Sequence, residues 1–212
     1  MNGQGFRREP PVPPNLSARL ATARLLLRAP RTEDVAALRL ALRRNSVHLK
    51  PWSASPAPGE DPASLTSVSR AVLRYRKEWK HGQAFVLLVT PREDERRIIG
   101  RVALGGIQRG ALLSAHLGYW IDAEYEGKGL MTEAVIEATS FAFAALGLHR
   151  VQAAVMPRNA SSQRVLEKAG YRREGLAVRY LCIASVWEDH VLYAVTGEEW
   201  AAAHPGPAHA AR

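Results

Sequence analysis

The sequence predicts an α/β fold built on a mixed, mostly antiparallel central sheet flanked by helices. Three observations predict it. Three β-rich runs, Ala84 to Thr90, Arg97 to Gln108 and Leu112 to Asp122, follow one another across short turns, which implies an antiparallel meander. A helical run, a short β-rich run and a second helical run then alternate from Thr132 to Ala169. The chain closes with two long strand-like runs, Tyr171 to Ile183 and Ser185 to Val195, which read as an antiparallel pair.

The remaining elements fall in order around these. Residues 1–22 carry Pro10, Pro11, Pro13 and Pro14 with little apolar periodicity, so they read as an unstructured lead, and Ala201 to Arg212, rich in Ala, Pro and His, reads as a matching tail. One domain over residues 23–200 is expected between them. Leu25, Leu26 and Leu27 make a short strand, and Thr32 offers an N-cap, with Glu33 and Asp34 in the first turn of a helix reaching about Asn45. Pro51 to Pro62 is a loop, and a second helix spans about Ala63 to Lys80. Trp52 and Trp79 bracket this region as packing anchors, with substrate contact as the alternative. Thr132 to Leu146 is helical, Arg150 to Val155 a strand, and Ala160 to Ala169 helical again.

Composition bounds what such a fold does. At 212 residues and 47% hydrophobic, the chain buries one sizeable core and is short for two full domains. No apolar run approaches the roughly 20 residues needed to span a bilayer, so we expect a soluble, cytoplasmic protein without a membrane partner. The single cysteine, Cys182, excludes an internal disulfide framework, cannot build a thiolate zinc site by itself, and is expected in a buried strand. Nothing in the sequence calls for a metal. The formal charge of +9 suits an acidic partner such as nucleic acid, a ribosome surface or a phosphate-bearing cofactor, or simply a solubilising surface.

The most informative stretch runs from Leu117 through Gly118, Tyr119, Trp120, Ile121 and Asp122 to Gly127-Lys128-Gly129-Leu130. It reads as strand, tight turn and helix. Gly127 and Gly129 can take positive φ and let backbone amides approach a ligand, while the helix starting there directs unpaired N–H groups and a positive dipole end outward. Together they make an anion site suited to a pyrophosphate, to which Lys128 can add a point charge. The spacing matches neither a P-loop nor a dinucleotide-fold fingerprint. Downstream, Asn159 is a good helix cap and Gly170 a good helix stop.

In these two segments the sequence resembles the GNAT superfamily of N-acetyltransferases. The family's acetyl-CoA motif has Gln or Arg, then Gly and Gly or Ala, at this strand-to-helix turn; Gly127 and Gly129 fill the glycine slots, and Glu124 stands where Gln or Arg is usual. Asn159-Ala160-Ser161-Ser162, followed by a helix and Gly170-Tyr171, resembles the family's Asn-x-x-Ser segment. The resemblance implies acetyl-CoA as co-substrate. It also implies that the amides of Gly127, Lys128, Gly129 and Leu130 hold the pyrophosphate, that the strand edge at Leu117, Tyr119 and Ile121 pairs with the pantetheine arm, and that Asn159 and Ser162 contact CoA.

Leu49-Lys50-Pro51-Trp52, Gly127 to Met131, and Trp187 to Leu192 further resemble the RimJ-type ribosomal-protein alanine acetyltransferases, from about Arg24 to Trp200. This branch implies acetyl transfer to the α-amine of an Ala-starting protein, a ribosomal one, with ribosome association as a possible consequence. An α-amine of pKa near 8 is about one-tenth neutral at pH 7, so a modest base or a water chain suffices. Many GNAT relatives place a Tyr acid where this chain has Leu166; the RimJ and RimL pattern points instead to Ser162, as general acid toward the CoA sulfur or as a simple CoA contact. Arg179 occupies a slot where relatives often carry a carboxylate. Glu124, Glu126, Glu188 and Asp189 read as solvated turn residues or bases, and His190 as a hydrogen-bonded strand residue or a proton shuttle. Tyr119 and Trp120 alternate across the sheet, leaving open which faces the ligand. Two other readings stand beside this one: transfer to a small-molecule amine, and a ribosome- or RNA-binding module whose CoA site is vestigial.

Overall fold

The structure, a computed structural model, describes residues 12–57 and 59–204. Eight strands form one sheet in the order β1-β2-β3-β4-β5-β6-β8-β7. These are β1 (Arg19–Ala21), β2 (Leu25–Arg28), β3 (Phe85–Pro91), β4 (Gly100–Gln108), β5 (Ser114–Ile121), β6 (Arg150–Val155), β7 (Arg172–Ile183) and β8 (Val186–Thr196). The helices are α1 (Val35–Arg44), α2 (Ser46–Leu49), α3 (Leu65–Lys80), α4 (Leu130–Ala144), α5 (Ala160–Lys168) and α6 (Gly197–Ala203). Among the described residues only β5 and β6 run parallel, because α4 carries the chain back between them, and the other pairings are antiparallel. The expected α/β class and mostly antiparallel mixed sheet are thus the observed ones.

The core is organised by β3, whose seven residues are all buried. Alternation sends Phe85, Leu87 and Val89 into the main cluster with Ala134, Val135, Ala138 and Phe141 of α4, while Leu88 meets Leu38, Ala41, Val68 and Val72 of α1 and α3. Trp79 closes the end of α3 against Phe85, edge to face at 5.0 Å between ring centroids, and its indole donates to the Pro14 carbonyl at 2.6 Å. It is the packing anchor expected.

Four local features differ from the sequence reading. Strand β1 lies inside the stretch read as an unstructured lead, held by pairing to β2, and α6 runs past the expected domain end at 200 to Ala203. Residues 1–11 and 205–212 lie outside the described residues. Thr32, the expected cap, bonds Glu33 instead; the Asp34 carboxylate takes the Arg31 N–H at 2.6 Å and both Arg28 guanidinium nitrogens at 2.7 Å. Cys182, expected buried, is exposed, because β7 is the last strand of the sheet and its far end projects with β8 as a hairpin.

What positions the site is the behaviour of β5. Its first three residues, Ser114 to His116, pair with Arg150 to Gln152 of β6, and there the two strands part. From Leu117 to Ile121 the strand keeps β4 on one side, from Leu104↔Leu117 to Gly100↔Ile121, and among the described residues no strand on the other.

Candidate active site

At the end of β5 the chain is bolted in place before it turns. Asp122 is buried, accepts from Glu124 N–H at 3.1 Å and takes the Arg44 side chain through Nε at 2.8 Å and through a second guanidinium nitrogen. Burial alone pushes the Asp122 carboxyl up, but the hydrogen bonds from Arg44, Glu124 N–H and Asn45, with the Arg44 charge, outweigh it and hold the group below the usual carboxylate value. Asn45 is itself buried: its amide donates to Ala41 O at 2.9 Å and accepts from Ala123 N–H at 2.9 Å, tying the end of α1 to the turn.

The turn then uses both glycines in the left-handed region, φ 71° at Gly127 and 74° at Gly129. A Cβ at Gly127 would meet nothing within 4 Å, and one at Gly129 only an Arg24 nitrogen at 3.7 Å, so the requirement for glycine is conformational rather than steric. Gly129 caps α4 without a side chain, and the first helical bond is Glu133 N–H to Gly129 O at 3.1 Å. The N–H groups of Leu130, Met131 and Thr132 therefore precede the helical ladder, as an anion site needs. The one acid in this first turn, Glu133, is engaged elsewhere: it accepts from Arg24 N–H at 3.0 Å, from Arg24 Nε at 2.7 Å and from the Thr22 hydroxyl. Burial raises the Glu133 carboxyl, and these partners more than reverse the shift. Arg24 also donates to Lys128 O at 2.9 Å, so the residue just before β2 grips the turn.

Across the opening, Asn159 caps α5 by accepting from Ser162 N–H at 3.1 Å and from the Ser161 hydroxyl at 3.0 Å. Ser162 Oγ lies 2.8 Å from the Tyr119 hydroxyl, which also donates to Ser162 O at 3.0 Å. Burial pushes the Tyr119 phenol well above its ordinary value, the hydrogen bond to Ser162 opposing it only in part, so the phenol keeps its proton throughout the physiological range.

These parts enclose one cleft of about 380 Å³. Of the residues singled out from the sequence, Tyr119, Ile121, Gly127, Gly129, Leu130, Asn159 and Ser162 line it. Leu117 is buried in the core beneath, and the Lys128 side chain turns to the Tyr125 ring, 5.2 Å from its centroid. Tyr119 and Trp120 both reach the cleft, and so does Trp52, beneath the Arg158 guanidinium at 5.7 Å. Sequence reasoning missed His48, which faces Glu126 at 3.4 Å, and the face of α5 made by Ser161, Arg164, Val165 and Lys168. Their i, i+3, i+4, i+7 spacing beyond Asn159 was the available signal.

The other titratable candidates are tied into structure. His190 is buried, with Nδ1 2.9 Å from Glu188 O; Glu188 pairs with Arg158 at 2.7 Å, Glu124 with Arg97 at 2.7 Å, and Asp189 accepts from Arg179 N–H at 2.8 Å. Among the described residues, no group of three or more His, Cys, Asp or Glu side chains is placed to hold a metal ion, and no helix is long and apolar enough to cross a membrane.

The family model of the acetyltransferase (GNAT) domain matches residues 24–172. The chain is 34% identical over 183 residues, 86% of its own length and 92% of the relative's, to the ribosomal protein uS5-alanine N-acetyltransferase of Escherichia coli. It is 40% identical over 136 residues, 64% of its length and 75% of the relative's, to YjcK of Bacillus subtilis, which bears the name "Probable N-acetyltransferase". The solved structure of Mycobacterium smegmatis RimJ in complex with CoA-disulfide is similar with a TM-score of 0.79 at 32% identity, over 90% of each chain.

Proposed function

The chain belongs to the GNAT family of acetyltransferases, and from that premise we propose that it transfers the acetyl group of acetyl-CoA to the N-terminal α-amine of a ribosomal protein beginning with alanine. The observation that carries the proposal is the convergence of three features in one cleft: the Gly127–Gly129 turn at the start of α4, the unpaired edge of β5, and the Tyr119–Ser162 hydroxyl pair at the start of α5. The E. coli relative, similar over most of both chains, supports the choice of acceptor.

In this reading the amides from Gly127 to Leu130 hold the pyrophosphate, and the edge of β5 from Leu117 to Ile121 pairs with the pantetheine arm. Asn159 shapes the start of α5 beside it. The neutral amine attacks the thioester carbonyl carbon, the tetrahedral intermediate collapses with breakage of the C–S bond, and the nitrogen gives its extra proton to water. Ser162 hands its hydroxyl proton to the departing thiolate and takes one back from solvent, so that no alkoxide remains. Tyr119 holds the serine hydroxyl in place at 2.8 Å. A small polycationic acceptor has less support: among the described residues Glu126 is the one carboxylate lining the cleft, against His48, Arg164 and Lys168. Cytoplasmic location and ribosome association follow from the acceptor and belong to the same proposal.

The test is turnover of acetyl-CoA by the purified protein with peptides beginning in Ala, Ser or Met and with a panel of small amines, followed by mass at the peptide N-terminus. We expect preferential acetylation of the Ala peptide. Transfer to small amines alone refutes the acceptor, and CoA binding without transfer to any amine refutes the activity.

A further inference from the structure

The positive charge of the chain is concentrated in one stretch. Val35 to Lys80 carries nine Lys and Arg against three Asp and Glu, a net +6 of the chain's +9. The stretch holds α1, α2 and α3, and α1 and α3 bury their inner sides, Leu38, Ala41, Val68 and Val72, in one cluster with Leu88 and Ile98. Their outer sides therefore point away from the sheet together. On α3 the outer stripe is Arg70, Leu73, Arg74, Lys77 and Lys80, all exposed, at helical spacing over about 15 Å of axis, and Arg43 is exposed at the end of α1. Among the described residues the Arg43, Lys77 and Lys80 side chains make no ion pair or hydrogen bond. Glu60 and Glu78 reach Arg70 and Arg74 only at 3.8 and 3.7 Å, solvent-facing pairs that neutralise little. By contrast, Arg97 and Arg158 around the cleft are closely paired, with Glu124 and Glu188 at 2.7 Å.

We propose that the outer surface of α1 and α3 docks on the phosphate backbone of a folded RNA. The choice of RNA as the polyanion rests on the ribosomal acceptor proposed above; the mode of binding rests on the charge pattern. A rigid helix with cations spread over about 15 Å meets several successive phosphates of a duplex strand and releases their counterions, a contact that needs no base sequence. Among the described residues the stripe offers no free aromatic ring on which an unpaired base could stack, since Tyr75 is half-buried and its hydroxyl takes Arg101 at 2.8 Å, so a duplex backbone fits it better than a single strand. The placement gives the contact a purpose. Helix α1 runs into α2, whose His48 and Leu49 line the cleft, so RNA on this surface lies beside the cleft mouth. A protein seated on that RNA then offers its N-terminus from close by, which raises the effective concentration of acceptor without any contact to the reacting atoms.

The experiment is anisotropy titration of a labelled RNA duplex of about 16 base pairs with the full chain over a range of salt. Two variants with the same loss of charge are compared: R70Q/K77Q/K80Q on the stripe, and R96Q/R173Q/R179Q at exposed arginines elsewhere. The wild type should bind, with log affinity falling by about 3 per tenfold rise in salt. The stripe variant should bind at least about tenfold more weakly in about 0.1 M salt with a slope shallower by about 2, while the second variant stays within about threefold of wild type. Turnover with a short Ala peptide should be unchanged in both. A wild type that ignores the duplex overturns the proposal, as do two variants weakened alike, which would reduce the effect to net charge. Loss of peptide turnover in the stripe variant also overturns it, and so does binding to anionic lipid vesicles in place of RNA, which would make the surface a membrane contact. A wild type that binds RNA through the stripe but acetylates no peptide upholds this surface and sinks the acceptor reading alone.

Discussion

Replacing Ser162 by alanine separates a proton donor from a helix residue that merely touches the cofactor, because the structure makes the two costs very different. Ser162 Oγ has one hydrogen-bond partner, the Tyr119 hydroxyl at 2.8 Å. The variant keeps the Ser162 backbone groups: the carbonyl that Tyr119 contacts at 3.0 Å and the N–H that Asn159 caps at 3.1 Å. No buried donor is orphaned, and alanine gains a few tenths of a kcal/mol of helix propensity, so stability should change by no more than about 1 kcal/mol. In a domain of this size that is a shift in Tm of no more than about 4 °C. A positioned proton donor contributes about 10²–10⁴ in rate, or roughly 2.7–5.5 kcal/mol of barrier. Steady-state kinetics with acetyl-CoA and an Ala peptide, together with calorimetric CoA binding and a thermal melt, should therefore show kcat down by at least about a hundredfold, with CoA affinity within about threefold. A kcat within about threefold of wild type would refute the assignment. A collapse of CoA affinity with kcat retained at saturation would reduce Ser162 to a binding contact.

Gly129→Ala places a side chain in open space at φ 74°, so its cost is that of the left-handed backbone, about 1–2 kcal/mol, divided between a lower Tm and weaker CoA binding; no change in either would show that the turn does not need this conformation. Asn45→Ala removes the bonds to the Ala123 N–H and the Ala41 carbonyl and should lower stability by about 1–2 kcal/mol in urea denaturation, with an unchanged midpoint as the refuting result. Asp122 has a folded pKa below its ordinary 3.8, so its contribution is complete above that value and is lost as the pH falls through the lower folded value; Asp122→Asn should flatten the acid limb of the stability profile, and an unaltered limb would contradict the network. Cys182 should react stoichiometrically with an aromatic disulfide reagent in the native protein, without denaturant, and protection would place it inside.

How far the fold could be read from the sequence differs instructively between elements. The meander, α4 and α5 were legible because their signals are local: apolar runs of the right length, glycines where φ turns positive, Asn159 at a cap. Strand β1 was not, since three residues carry no periodicity and exist as a strand only through β2. Cys182 misled because Tyr180-Leu181-Cys182-Ile183 is as apolar as a core strand, and burial depends on what lies beside β7, where the sheet ends. At the site, the glycine turn and Asn159–Ser162 could be found from chain-local chemistry. The contact between Tyr119 and Ser162 could not, because it joins residues 43 positions apart and depends on how far β5 diverges from β6. His48 was invisible for the same reason: its partner Glu126 comes from another part of the chain, and α2 has only four residues with which to announce itself.

The grip of Arg24 and Thr22 on Glu133 has a practical consequence for anyone shortening or tagging this protein. The start of α4 tolerates an acid beside an anion site only while that carboxylate is occupied by groups from the strand entry. A chain trimmed to begin at Leu25 would free Glu133 to face the N–H groups that the proposed function assigns to phosphate oxygens, and it would remove the donor that steadies the Lys128 carbonyl. Such a protein would also lose β1 and the Pro14 carbonyl that accepts from the Trp79 indole, so a lower melting temperature would not by itself report the loss of cofactor binding. Thermal stability is therefore a misleading guide to a safe N-terminal boundary, and nucleotide affinity is the property to monitor.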